Sequence, residues 1–531
     1  MNRSHLTLDR RSFLLGCAAA GLSGCTAATV GSREAAPAAE FPLVIRGGRL
    51  VDPGQGVDVS VDLAIEDTRV AAIGPNLRGR IILDAAGCVV APGFIDLHSH
   101  AQTVSGHRLQ AFDGVTTTLE LEAGAMPVAA AYARASAEGR PLNYGYSASW
   151  AGARIRVVAG DSGSQQSAMA RFADPAWQRE ATEAEEDRIL GMLETEVGAG
   201  ALGIGVLVGY APRTSLAEYL RVARLAAARR VPTYTHARDL IEVSPDTRMD
   251  GAEELVRAAA ETGAHMHFCH VNSSSGRRVD RVLARVDRVR REGAVVTMEA
   301  YPYGAGMTVI GAVFLAPERL AARGLRPTDI VYLPTNQRVR DAEHLNRLRA
   351  ADPGGRCVVH FLDETKAADA AVLRASLFHA DTIVASDAIA PIGLGPGVEL
   401  AWPLPPTART HPRTAGTFAR SFRRLVGEGK MSILEFVRRV SLLPARVIAT
   451  ATGDSLCKGT LHVGADADVV VFDPDGFQDR ATYEASTRPS AGVRHLLVGG
   501  EPVIRDGTLA QSARPGATGA KSLSATGWYW A

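Results

Sequence analysis

The sequence predicts an α/β chain in which eight strand–helix units close a barrel and a small β-sandwich is assembled from both chain ends. Three observations predict it. Apolar runs recur that each end on or beside a polar, chemistry-bearing residue; Ala- and Arg-rich helical stretches follow them; and short alternating β runs gather near the two ends of the chain. At 531 residues the chain can hold one large unit and one smaller one. Acidic and basic residues are mixed and nearly balanced, with a net charge of +1. That leaves no basic footprint for nucleic acid and favours a small-molecule partner.

The first element is a leader. Asp9-Arg10-Arg11-Ser12-Phe13-Leu14-Leu15 sets a twin-arginine pair before an apolar run ending at Leu22, and Ser23-Gly24 precede Cys25. Residues 1–25 are expected to be a twin-arginine lipoprotein signal peptide, with Cys25 the lipidated residue and a periplasmic destination. The apolar run is too short to span a bilayer, so membrane contact is expected only through the lipid. Residues 26–40, rich in Ala, Gly and Ser, read as a flexible tether.

Residues 41–91 carry Leu43-Val44-Ile45, Val61-Asp62-Leu63-Ala64-Ile65 and Ile81-Ile82-Leu83, the first part of the β-sandwich. Residues 451–510, with Asp468-Val469-Val470-Val471-Phe472, supply the second part, and 511–531 form an irregular tail. Between them, residues 92–450 alternate apolar strands with helices such as Leu216 to Arg229 and Val279 to Arg291, the pattern of a parallel sheet. Candidate strands end at His98, Glu122, Tyr146, Val206, His236, His270, Tyr301 and Asp387, which is enough to close a TIM-type (β/α)8 barrel. Residues 305 to 380 are too long for one connection and read as a lid-like insertion. Cys88, Cys269, Cys357 and Cys457 lack paired spacing and read as buried apolar residues, with Cys269 placed to lie near a metal.

The chemistry is expected at the C-terminal strand ends. His98 and His100 are two apart after an apolar run, so both face one side and can grip one cation. Glu120 and Glu122 share a facing on the next strand, where a buried carboxylate is costly unless paired or metal-bound. Glu122, nearer the strand end, is the expected ligand, able to bridge two ions, and Glu120 is its competitor. His236 and His270 fit neutral imidazole ligands, and Asp387 is the natural general base. His265 and His267 have the opposite parity to His270 and read as structural, as do His360, His379 and His462.

The run Gly93-Phe94-Ile95-Asp96-Leu97-His98-Ser99-His100, then Gly114-Val115-Thr116-Thr117, Tyr301-Pro302-Tyr303, Ser386-Asp387 and His411-Pro412-Arg413-Thr414-Ala415-Gly416 resembles the N-acyl-D-amino-acid deacylases of the amidohydrolase superfamily. The likeness continues through Leu443-Pro444-Ala445-Arg446 and Gly464-Ala465-Asp466-Ala467-Asp468 and covers nearly the whole mature chain. It implies hydrolysis of an N-acyl or other small amide by metal-activated water. His98, His100 and Asp387 would hold one ion, His236 and His270 another, and Glu122 would lie between. The expected metal is zinc, one or two ions per subunit, with Mn or Co tolerated. Arg238, Asn272, Tyr301, Tyr303 and Arg413 are the candidates to bind substrate.

Two departures stand out. The family's bridging Cys is replaced in Leu121-Glu122-Ala123-Gly124, which makes the site harder and richer in oxygen. Its substrate-contacting Lys is replaced by Asn272. Cyclic-amide hydrolases that use a carboxylated barrel lysine fit less well, because Lys366, Lys430, Lys458 and Lys521 stand at no strand end. Another linear- or cyclic-amide hydrolase, and an inactive lipid-anchored binding protein on the same fold, are the alternatives.

Overall fold

The computed structural model describes residues 40–160, 171–244, 247, 249–395, 398, 400–452 and 457–518. The leader, Cys25 and most of the expected tether lie outside these residues. No helix among those described is long and apolar enough to cross a membrane.

Eight parallel strands form the barrel: β1 (Phe94–Asp96), β2 (Val115–Ala125), β3 (Asn143–Ser149), β4 (Ile204–Val206), β5 (Thr233–Thr235), β6 (Met266–Phe268), β7 (Val296–Ala300) and β8 (Thr382–Val384). Each pairs with its neighbour in chain order from β1 to β8. The ring is completed just beyond the strand ends, where Ser99 and His100 pair in parallel with Ala388 and Ile389. The Ser386 amide donates to the Asp96 carboxylate at 3.0 Å across the same seam. That closure brings the loop carrying Asp387 beside His98 and His100.

The helices follow from their sequence periodicity. Leu216–Arg229 starts at Ser215, whose hydroxyl accepts the Glu218 amide, and ends at Arg230 in a left-handed conformation with φ +53°. It buries Tyr219, Leu220, Val222, Ala223 and Ala226 and leaves its arginine face to solvent, the apolar stripe that burial of one helix side requires. Val279–Arg291 repeats the pattern with Val282, Leu283, Val286 and Val289 inward. Gly205 in β4 lies directly under the Glu122 carbonyl, and a Cβ there would stand 2.3 Å from that oxygen, so only glycine lets β4 approach β2 closely.

The smaller β unit is one continuous mixed sheet. Its N-terminal strands Glu40–Asp52, Val57–Glu66, Arg69–Gly74, Arg78–Asp84 and Val89–Pro92 join the C-terminal strands through Val469–Phe472, which pairs antiparallel with Val89–Pro92. Leu43, Ile45, Leu63, Val90, Val469 and Leu497 pack into its core. The first strand begins at Glu40, one residue earlier than its apolar pattern predicts.

Between β7 and β8 the chain forms a four-stranded antiparallel sheet of Ala305–Val309, Ile330–Tyr332, Gln337–Arg338 and Arg356–His360. This is the expected insertion, although Ala367–Phe378 packs on β8 and on Val279–Arg291 as a barrel helix does.

Candidate metal centre

Four histidines and two carboxylates meet at the C-terminal mouth of the barrel. Their order in space is set by Glu122. Its Oε2 lies 3.2 Å from His98 Nε2 and 3.5 Å from His100 Nε2. Its Oε1 lies 2.7 Å from His270 Nε2 and 3.0 Å from His236 Nδ1. One carboxylate is therefore set between two imidazole pairs. Asp387 Oδ1 faces the first pair, 3.5 Å from each Nε2. Every one of these side chains is held where the sequence pattern puts it, at or within four residues of a barrel-strand end.

The tautomers are fixed from behind. His98 Nδ1 lies 2.5 Å from Glu299 Oε1, and His100 Nδ1 lies 2.8 Å from Glu120 Oε2. A carboxylate only accepts, so each Nδ1 carries a proton and each Nε2 presents a lone pair. Those two Nε2 atoms are 3.2 Å apart, and two lone pairs at that separation call for a cation between them and the Glu122 oxygen. The second pair is similar, with His270 Nε2 3.1 Å from His236 Nδ1. His270 Nδ1 is backed by the Ser274 hydroxyl at 3.0 Å. The imidazole and carboxylate donors thus fit borderline divalent metals.

Electrostatics point the same way. Burial would strip the proton from His98 and His100, yet the carboxylates of Glu122, Asp387, Glu299 and Glu120 around them hold both imidazoles well above the usual range. Burial likewise opposes the charge on Glu122, but the surrounding imidazoles hold it well below the usual carboxylate range. The mouth demands positive charge, which a divalent ion satisfies. His236 is held low by burial, a neutral ligand.

The backbone is strained at two of these positions. His270 has φ +35° and Asp387 φ +50°, in the left-handed region that costs non-glycine residues of order 1–3 kcal/mol. Glu299 accepts the His270 amide at 3.3 Å and helps hold that turn. Gly209 gives way to His236, since a Cβ there would lie 2.5 Å from the ring.

Glu120 does not sit in the cluster; it orients His100, and Glu122 takes the central position. Glu299 is the residue the sequence reading missed. It lies in the apolar strand Val296-Thr297-Met298-Glu299-Ala300, fully buried, and binds both His98 and His267. The rule that a carboxylate in a barrel strand needs a partner singles it out as readily as Glu120. His267, read as structural, supports Glu299 from 2.9 Å. Cys269 is buried against His98 and Glu299.

The substrate candidates divide. Tyr301, Arg413 and Arg238 line the cavity of about 900 Å³ over the centre. The Arg413 guanidinium lies 4.8 Å above the Tyr301 ring and 2.8 Å from Asp387, with Nε and Nη1 unpartnered. Asn272 and Tyr303 lie outside the cavity lining, and Arg238 lies in it. Arg238 gives four of its five N–H donors to Glu254 and to the carbonyls of Pro212 and Thr214, which leaves one at Nη1 to offer. Asn272 is fully buried and spends both ends of its amide on the Tyr301 backbone. Tyr303 turns away from the cavity, packed under Arg420 and against His411.

A family model described as "Amidohydrolase family" matches residues 82–504. The chain is 31% identical to an N-acyl-D-glutamate deacylase of Alcaligenes xylosoxydans xylosoxydans over 90% of its length and 96% of that protein's. It is 27% identical to a D-aminoacylase of the same organism, across 88% of this chain and 95% of the relative. Among solved structures, an N-acyl-D-glutamate deacylase from Bordetella bronchiseptica, complexed with zinc and a phosphonate inhibitor, is 26% identical with a TM-score of 0.69, covering 89% of this chain and all of that one. With the barrel, the ligand cluster and this match across most of its length, the chain belongs to the amidohydrolase family and is a metal-dependent hydrolase of C–N amide bonds.

Proposed function

We propose that the enzyme deacylates N-acyl-D-amino acids, with zinc as its metal, one or two ions per subunit, and Mn or Co as tolerated substitutes. The observation that carries this reading is the Glu122 carboxylate set between two imidazole pairs, with Asp387 and an ion-paired Arg413 beside the first. His98, His100, Glu122, His236, His270 and Asp387 would hold the metal. When bound, it lowers the pKa of water and polarises the amide carbonyl.

Asp387 is suited to move the proton. Burial opposes its ionisation, but the Arg413 guanidinium and the neighbouring imidazoles outweigh that and hold its carboxyl below the usual range, so it is a carboxylate at neutral pH. Its free oxygen takes a proton from the attacking water and returns it to the leaving nitrogen. Arg413, through its unpartnered Nε and Nη1, and the Tyr301 hydroxyl would hold the carboxylate of the amino acid. Gly306 leaves room above them, since a Cβ there would stand 3.2 Å from the Tyr301 hydroxyl and 3.5 Å from Arg413 Nη1.

No lysine lines the cavity among the described residues, which speaks against a carboxylated-lysine centre of the cyclic-amide hydrolases. The test is a hydrolysis panel of N-acetyl-D- and N-acetyl-L-amino acids, dipeptides and hydantoins with zinc-loaded enzyme. Release of the free D-amino acid is expected, and turnover of hydantoins alone would overturn the proposal.

The enzyme is further proposed to leave the cell interior by the twin-arginine route and to be held at a periplasmic membrane face through lipid on Cys25. Cys25→Ser should release it into the soluble fraction; unchanged membrane association contradicts the anchor.

A further inference from the structure

The cavity over the metal centre extends past Glu120 to a basic group that no step of the proposed reaction uses. Gln102, Thr103, Tyr146, Arg134 and Arg140 line this arm. Arg140 stands just before β3 with its side chain only 2% exposed, and its Nε has no partner. Among the described residues its one carboxylate contact is Glu138 at 2.7 Å, two residues away and half exposed. Behind it lie His107, buried with neither ring nitrogen hydrogen-bonded, and Arg108, whose Nε is also unpartnered. Arg514 crosses from the C-terminal segment, and burial, then the neighbouring arginines, hold His107, Arg108 and Arg514 below their usual ranges.

Buried cations are normally matched by anions, and an unsatisfied buried donor costs about 1–3 kcal/mol. Here Arg140, Arg108 and Arg514 gather beside a buried, neutral His107, and among the described residues Arg140 meets one half-exposed carboxylate. The Tyr146 phenol stands between the two ends of the arm: burial pushes it up to about 12, Arg140 and Arg134 pull it down, and Glu120 pushes it up again. The arm therefore connects a buried arginine with an unpartnered Nε to the rim of the metal centre.

We propose that Arg140, with Tyr146 beside it and His107 and Arg514 behind, forms a subsite for a small carboxylate or other oxyanion, separate from Arg413. Two sources share that chemistry: a free anion, and the distal carboxylate of a dicarboxylic acyl group on the substrate.

Calorimetric titration of the full, zinc-loaded chain with succinate tests the subsite without any assumption about the reaction. Succinate should bind wild type, and Arg140→Gln should weaken it about tenfold, the loss expected for one charge-assisted hydrogen bond. Equal binding by wild type and a folded Arg140→Gln overturns the proposal. Should Arg140→Gln fail to fold, Arg140→Lys keeps the charge without the fork, and unchanged affinity there overturns it equally.

The second arm rests on the deacylase reading and compares N-succinyl- with N-acetyl-D-amino acids. If the acyl group is the source, Arg140→Gln raises KM about tenfold for the succinyl substrate alone. If a free anion is the source, both KM values stay as they are while succinate affinity still falls. Turnover of neither substrate by wild type, with succinate binding intact, sinks the deacylase reading and leaves the subsite standing.

Discussion

The two imidazole pairs of the centre share Glu122 but are supported differently. His98 and His100 each lean on a buried carboxylate, Glu299 and Glu120, through Nδ1. In the other pair, His270 leans on the neutral hydroxyl of Ser274, and His236 has Glu122 itself as its carboxylate neighbour. A carboxylate behind an imidazole raises its basicity and locks its tautomer, whereas a hydroxyl serves either tautomer and adds little charge. The first pair is therefore the one whose metal affinity depends most on groups that never touch the ion. It is also the pair nearest Asp387, so the proton-moving residue and the most strongly oriented ligands sit together.

The largest effect is expected from the carboxylate the pairs share. Glu122→Ala should lower metal affinity at both pairs by more than the roughly 100-fold that marks the upper range for loss of an outer partner. Elemental analysis after dialysis checks this, and a loss confined to one ion would break the symmetry assigned to Glu122. Next comes Asp387→Asn, which should keep most of its metal yet lose turnover by about 10²–10⁴-fold. Normal turnover at full metal content would remove Asp387 from its role.

The comparison between pairs is sharpened by their supports. Glu299→Gln and Glu120→Gln should each weaken metal binding by about 10–100-fold, read by competition with a chelator. Ser274→Ala should change it only a few-fold, as for about 1 kcal/mol from a neutral hydrogen bond. Equal losses from the three variants would mean that the two supports are equivalent after all.

The smallest effect is on pH dependence. Arg413 holds the Asp387 carboxyl below its usual range. Asp387 works as a base only when ionised, so its activity is present above its pKa and falls as pH drops through it. Arg413→Met removes the positive neighbour, raises that pKa, and should move the acid limb of kcat/KM upward by about one pH unit. An unmoved limb would place the controlling group elsewhere.

The ligand cluster was legible because strand alternation and residue type together fix where a side chain points. His98, His100, Glu122, His236, His270 and Asp387 all lie at strand ends, and the barrel brings strand ends together wherever the intervening helices run. The barrel and the two-ended β unit were legible for the same reason of periodicity. The places of Asn272 and Tyr303, and how much of the Arg238 fork is spent, were not, because their partners are the Tyr301 backbone, Arg420 and Glu254 on a helix. Those contacts depend on how elements pack, and no local pattern records which of several nearby groups an arginine fork will choose. The insertion boundary failed similarly, since Ala367–Phe378 carries a helical pattern that says nothing of which sheet it covers.

Zinc titration of metal-free enzyme, followed by bound metal and by release of free D-amino acid from the N-acetyl-D-amino-acid panel, tests the shared carboxylate most directly when wild type and Glu122→Ala are compared. Wild type should regain turnover as zinc binds, while Glu122→Ala should hold zinc weakly at both pairs and stay inactive at concentrations that saturate wild type. A Glu122→Ala enzyme that binds zinc as wild type does and turns over normally would contradict the account.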